Sequence, residues 1–120
     1  MVVKWSEKIS DDVKFYVRKK KFKKILDDIE SIIPDLEAGN LVGDKLSGFN
    51  LPEGAALYKV RIANTSANVG KSNGFRLIYY LAIEDEIYLL TIYSKKDDER
   101  IPNDAQIALL VGNVLEFWTK

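Results

Sequence analysis

The chain has 120 residues, 18 basic against 18 acidic, with 47% apolar residues, one methionine, no cysteine and no histidine. Those figures describe one globular domain over residues 1–120, large enough to need no disulfide or metal staple. They exclude thiolate and imidazole chemistry of every kind, from Ser-His-Asp triads to zinc sites, so any acid–base work falls to carboxylates, Lys, Arg and Tyr.

In chain order, Val2–Trp5 reads as a short strand. Ser10-Asp11-Asp12 supplies helix N-cap chemistry, because short polar side chains accept bonds from free backbone N–H groups. Val13 and Val17 follow at helical spacing. A second apolar series, Phe22, Ile25, Leu26, Ile29, Ile32 and Ile33, keeps the period and ends at Pro34. Two helices with a break near Lys19–Lys21 account for this better than one long bent helix.

Four glycines and Pro52 mark residues 39–54 as a connection, with room for a short strand or turn. Leu57–Ile62 alternates, with Leu57, Lys59 and Arg61 on one side and Tyr58, Val60 and Ile62 on the other. Two further strands, Phe75–Leu81 and Ile87–Tyr93, are dense in β-branched and aromatic residues. Glu84-Asp85-Glu86 joins them as a hairpin turn, and Asn64–Asn73 is a longer polar loop. Pro102-Asn103-Asp104 starts a final helix carrying the stripe Ile107, Leu110, Val111, Val114, Leu115 and Trp118. Gly112-Asn113 also resembles a hairpin turn, and the helix is preferred. Helices, then strands, then a helix make an α+β fold with an antiparallel sheet.

No segment reaches the length of a membrane span, and Met1–Trp5 lacks a signal-peptide pattern, so a soluble cytoplasmic protein is expected.

Net charge of zero hides an asymmetry. Seven basic residues and no acid lie between Lys14 and Lys24. Four more, Lys59, Arg61, Lys71 and Arg76, lie in the acid-free stretch from Gly54 to Ile83. The helical run reads as a solvated surface. The strand cations can converge, because Lys59 and Arg61 share a face, Arg76 is on the next strand and Lys71 is on the joining loop. Arg76 also sits among apolar neighbours, where a charge needs a partner or a purpose. A basic patch of this kind is the electrostatic footprint of phosphate binding.

Other motifs fail. Asn68-Val69-Gly70-Lys71-Ser72 looks like the end of a phosphate-binding loop, but Thr65 stands where the first glycine is needed and a strand follows. The acids Asp27-Asp28 and Asp97-Asp98-Glu99 lack metal-ligand spacing and read as solvated.

Taken together, the segments Lys59-Val60-Arg61, Gly70-Lys71-Ser72-Asn73-Gly74-Phe75-Arg76-Leu77-Ile78-Tyr79-Tyr80 and Tyr88-Leu89-Leu90-Thr91-Ile92-Tyr93-Ser94-Lys95 resemble RelE/ParE-superfamily toxins, most closely the HigB-like branch. The resemblance spans about residues 55–100. It implies two N-terminal helices packed on a twisted antiparallel sheet, with a C-terminal helix. It also implies the toxin of a type II toxin–antitoxin pair, cutting mRNA on the ribosome without a metal or cofactor and silenced by a cognate antitoxin protein.

On that resemblance the catalytic residues are Arg61, Lys71, Arg76, Tyr93 and Lys95, and Lys59, Arg61 and Lys71 bind RNA. Arg61 and Arg76 clamp the scissile phosphate. Lys59 and Lys71 hold flanking phosphates or accept the 2′-OH proton. Lys95 is the donor to the leaving oxygen, and Tyr93 stacks on a base or shares the proton work. Many relatives carry a Tyr or His near the C-terminus, whereas Ile101–Lys120 has neither. The alternatives are a ParE-like gyrase poison without nuclease activity and a non-catalytic basic-patch binding module. The apolar run Ile107–Trp118 is either a simply buried helix or partly a surface for the antitoxin.

Overall fold

The computed structural model describes residues 1–119, with side chains through Leu115. It contains five strands and four α-helices: β1 (Val2–Trp5), α1 (Glu7–Lys19), α2 (Ile25–Glu30), α3 (Ile33–Glu37), β2 (Asp44–Leu46), β3 (Ala56–Ile62), β4 (Phe75–Ala82), β5 (Glu86–Ser94) and α4 (Asp104–Thr119). Short 3₁₀ turns occupy Thr65–Ala67 and Asp98–Arg100.

Strand β1 passes directly into α1. Ser6 makes that junction: its backbone N–H donates to Leu89 O at 3.1 Å, and its Oγ accepts from Ile9 N at 3.2 Å. The helix therefore starts four residues before the expected Ser10–Asp12 cap. Glu7 in the first turn and Arg18 and Lys19 in the last complement the helix dipole. Ile9, Val13 and Tyr16 form its buried stripe.

The helix ends where the break was expected. Lys21 adopts a left-handed backbone (φ 61°), and the second apolar series divides into α2 and α3. Pro34 lies in the first turn of α3 rather than ending a helix. The first turn tolerates proline because its N–H groups have no helical acceptor.

The sheet order is β1-β5-β4-β3-β2. Strands β2 to β5 are antiparallel neighbours, but β1 runs parallel to β5, so the sheet is mixed rather than antiparallel. The physical reason is the long connection: α1 to α3 and the meander carry the chain far enough for β5 to return alongside β1 in the same direction. Gly43 lets β2 approach β3, since a Cβ there would lie 2.6 Å from Lys59 O. The β4–β5 turn uses Glu84 and Asp85 at positive φ, while Glu86 already belongs to β5.

Both faces of the sheet are covered. Val60, Ile62, Phe75, Leu77, Tyr79, Ile87, Leu89 and Ile92 pack against α1 to α3. Leu57, Ile78, Tyr80, Tyr88, Leu90 and Tyr93 pack against Ile107 and Val111 of α4. A bulge between Ile78 and Tyr79 places Leu90 as the extra residue on β5, which shifts the alternation along that strand.

Helix α4 starts as expected. Asn103 and Gln106 cap each other reciprocally, Gln106 N to Asn103 Oδ1 at 2.8 Å and Asn103 N to Gln106 Oε1 at 2.9 Å. Gly112-Asn113 lies inside the helix, where packing of Ile107 and Val111 overrides the turn signal. The side chains of Phe117 and Trp118 lie outside the described residues. Among the described residues no helix is long and apolar enough to cross a membrane.

A Cβ at Gly112 would meet no atom within 4 Å. Gly112→Ala should therefore raise stability by about 0.5–1 kcal/mol, measured by urea denaturation, because alanine removes the glycine penalty of a helix interior. A loss of stability would contradict a helix at this position.

Candidate functional site

Strand register builds the centre of the site. Arg61 on β3 is the cross-strand partner of Arg76 on β4, and Arg76 is the partner of Tyr93 on β5. Directly opposed residues share a face, so these three form one row across three strands. The row lies on the α4 side, as Tyr93 belongs to the α4 cluster.

The members differ in exposure. Arg61 is exposed, whereas Arg76 is 9% and Tyr93 5% exposed. The Arg76 guanidinium donates through Nη1 to Lys71 O at 3.0 Å and Phe75 O at 3.2 Å, and through Nη2 to Ser72 O at 3.1 Å. This staples the loop carrying Lys71 onto the sheet. A guanidinium has five N–H groups, so it retains donors for an anion.

Neither arginine of the row has an ion-pair partner among the described residues. Like charges directly opposite in a sheet repel. The Arg61–Arg76 pair thus holds positive charge together without a compensating carboxylate.

Lys71 is exposed on the stapled loop, and Lys95 is exposed just past β5. The Lys95 N–H donates to Gly74 O at 3.0 Å, extending the β4–β5 ladder beyond Ser94. Gly74 has no room for a side chain, since a Cβ would fall 2.2 Å from Ile62 O. Lys59 lies two residues before Arg61 on the same face, and its partner on β2 is Asp44. An acid thus faces the one cation of the set furthest from the loop, although the stretch from Gly54 to Ile83 contains none.

Burial is the main reason the Tyr93 hydroxyl's pKa is raised, and the Arg76 charge draws it partly back. At neutral pH Tyr93 is a hydroxyl that can donate a hydrogen bond, not a phenolate base.

Two acids, one expected on the solvated surface and one in a helix cap, are buried and structural. Asp28 is 4% exposed and accepts from Thr65 N at 3.1 Å and Thr65 Oγ1 at 2.7 Å, fixing the start of the 64–74 loop. Asp12, predicted to serve as cap chemistry, is 1% exposed. It accepts from Lys8, Thr91 Oγ1, Ile92 N at 3.1 Å and Arg100 Nη2 at 2.8 Å. The available signal was periodicity, because Asp12 sits with Ile9, Val13 and Tyr16, and Asp28 with Ile25 and Ile29, on the buried stripes. Tyr16 completes the support: its oxygen accepts from Ser94 N at 2.8 Å and its hydroxyl donates to Asp97 at 3.3 Å. Burial above all pushes its pKa up to about 12.

Compared with known families and curated proteins, the chain matches no family model and no curated protein.

The Arg76 staple is testable by Arg76→Lys. An ammonium keeps the charge but cannot span the Lys71, Ser72 and Phe75 carbonyls as a planar fork does. Losing these hydrogen bonds, partly or wholly out of solvent, should cost about 1–3 kcal/mol in urea denaturation, with faster amide exchange across residues 71–74. Unchanged stability and exchange would contradict the staple.

Proposed function

We propose that the chain is a RelE/HigB-like toxin of a type II toxin–antitoxin pair, a metal-free endoribonuclease acting on mRNA at the ribosome. The observation that carries this reading is the unneutralised Arg61–Arg76 pair, flanked by Tyr93 and by the exposed Lys71 and Lys95. Holding two guanidinium groups opposite each other is unfavourable in the free protein and becomes favourable when an anion lies between them. A phosphate gaining charge in a transition state suits such a site. Helices on one face of a largely antiparallel sheet, with a final helix on the other, support the same reading.

The chemistry is transfer of the phosphate to the RNA's own 2′-oxygen. The 2′-OH gives up its proton as its oxygen bonds to phosphorus. The bond to the 5′-oxygen breaks, and that oxygen takes a proton, leaving a 2′,3′-cyclic phosphate and a 5′-OH. Arg61 and Arg76 stabilise the equatorial oxygens. Lys71 and Lys59 hold flanking phosphates, and one of the lysines takes the 2′-OH proton. Tyr93, held protonated by its burial, hydrogen-bonds the phosphate, its buried ring leaving no face for a base, and Lys95 protonates the leaving oxygen. The partners are the ribosome, mRNA and a cognate antitoxin. For the antitoxin, α4 offers exposed Leu109, and Ile101 is exposed just before it.

Primer extension on mRNA after induced expression tests the proposal. Cuts in translated messages are expected, falling about 10²–10³-fold in rate with Arg61→Ala. Because Arg61 is exposed and faces a like charge, that variant should melt no lower than the parent. Intact mRNA together with a DNA-damage response would instead support a gyrase poison. Full cleavage by Arg61→Ala would remove the arginine pair from the mechanism.

A further inference from the structure

The helical cation run and Lys96, far apart in sequence, meet at one end of the molecule. Lys20 at the end of α1 and Lys96 just past β5 line the same depression, of about 240 Å³. Its walls include the half-buried Phe22 ring, Asn73 of the stapled loop, Ser94 and Asp97. Two lysines against the one carboxylate of Asp97, which accepts from Tyr16, leave the lining net positive.

Lys20 and the cations next to it in the chain, Lys19, Lys21, Lys23 and Lys24, are all exposed, and the acids nearest in sequence, Asp27 and Asp28, lie on α2, with Asp28 turned into the Thr65 bonds. Lys24 N donates to Ser66 Oγ at 2.9 Å, tying the cation run to the 64–74 loop. Exposed Lys21 holds a left-handed backbone (φ 61°), a conformation that favours glycine.

The depression and the arginine row share one loop. Adjacent strand residues point to opposite faces, so Ser94 belongs to the depression side and Tyr93 to the row. Between them Arg76 holds the Lys71 and Ser72 carbonyls, and Asn73 lines the depression. A strand leaving the row need only round this loop to enter the depression.

We infer that the depression is a second nucleotide subsite for single-stranded RNA, which wraps the 70–74 loop from the arginine row to the Lys20–Lys96 side. Lys20 and Lys96 hold the backbone phosphate. Phe22 offers a ring for sequence-tolerant base contact, and Asn73 and Ser94 offer amide and hydroxyl groups. The combination of cations with an aromatic ring and amides in one depression fits a nucleotide better than a flat lipid surface. The inference rests on the reading of the chain as an RNA-acting protein.

Fluorescence anisotropy with a labelled 2′-O-methyl oligouridylate of about ten nucleotides tests it, because that probe cannot be cleaved. Lys20→Glu and Lys96→Glu should each weaken binding about 5–10-fold and lower the salt slope by about one. Lys45→Glu, an equal charge change on β2 at the far edge of the sheet, should have little effect. Lys21→Gly should melt higher than the parent yet bind less tightly, separating function from folding. Equal weakening by Lys45→Glu, no effect of Lys20→Glu and Lys96→Glu, or binding only to anionic phosphatidylserine vesicles would each overturn the subsite. Oligonucleotide binding that depends on Lys20 and Lys96, with no mRNA cleavage, would keep the subsite and remove the nuclease. Arg61-dependent cleavage with binding indifferent to Lys20 and Lys96 would keep the nuclease and remove the subsite.

Discussion

Strand β1 pairs with β5 only from Glu86 to Leu89, which leaves the second half of β5 with an unpaired edge. Open edge groups in a buried setting must find partners. Helix α1 supplies them from its side chains. Ser6 Oγ donates to Leu90 O, Asp12 accepts from Ile92 N, and the Tyr16 hydroxyl oxygen accepts from Ser94 N. One face of a helix thereby does the work of a missing strand. Asp12 is the centre of this arrangement. A carboxylate buried to this degree is tolerated only with full hydrogen bonding, and here Lys8, Thr91, Ile92 and Arg100 all donate to it.

Two consequences reach the cationic end of the molecule. Arg100 bonds Asp12 and stacks on Phe15 at 3.8 Å, so the connection from β5 to α4 is fixed and α4 can cover the other face. The end of β5 and the residues just past it, from Tyr93 to Asp97, are held by Tyr16 on one side and by the Gly74–Lys95 bond on the other. With Asp28 holding Thr65 and Arg76 holding the 71–72 carbonyls, the cations sit on backbone that has little freedom left to lose. Charge held in place before a ligand arrives is the condition under which it stabilises developing phosphate charge most effectively.

Much of this could be read from residue order. Alternation in Leu57–Ile62 placed Lys59 and Arg61 on one face, and the runs Phe75–Leu81 and Ile87–Tyr93 marked the central strands, with bounds close to those observed. The capped start of α4 was equally visible. What escaped was tertiary. Local patterning says which face a residue takes but not which strand lies beside it, so the parallel β1–β5 pairing and Asp44 opposite Lys59 had no local signature. Pro34 could as well end a helix as begin one. Asp12 and Asp28 were read by residue type as cap and surface, although their period put them on buried stripes. The meeting of Lys20 with Lys96 depends on α1 lying along β5, which only the folded chain reveals.

The claim that α1 side chains replace a strand along β5 can be tested at single amides. Native-state hydrogen exchange should show Ile92 and Ser94 protected to nearly the same degree as the central β4 amides. In Asp12→Asn, whose amide keeps the shape but not the charge, Ile92 should exchange faster while Ser94, held by Tyr16, stays protected if the fold persists. Rapid exchange of both amides in the parent protein, at the rate of a free sheet edge, would contradict the account.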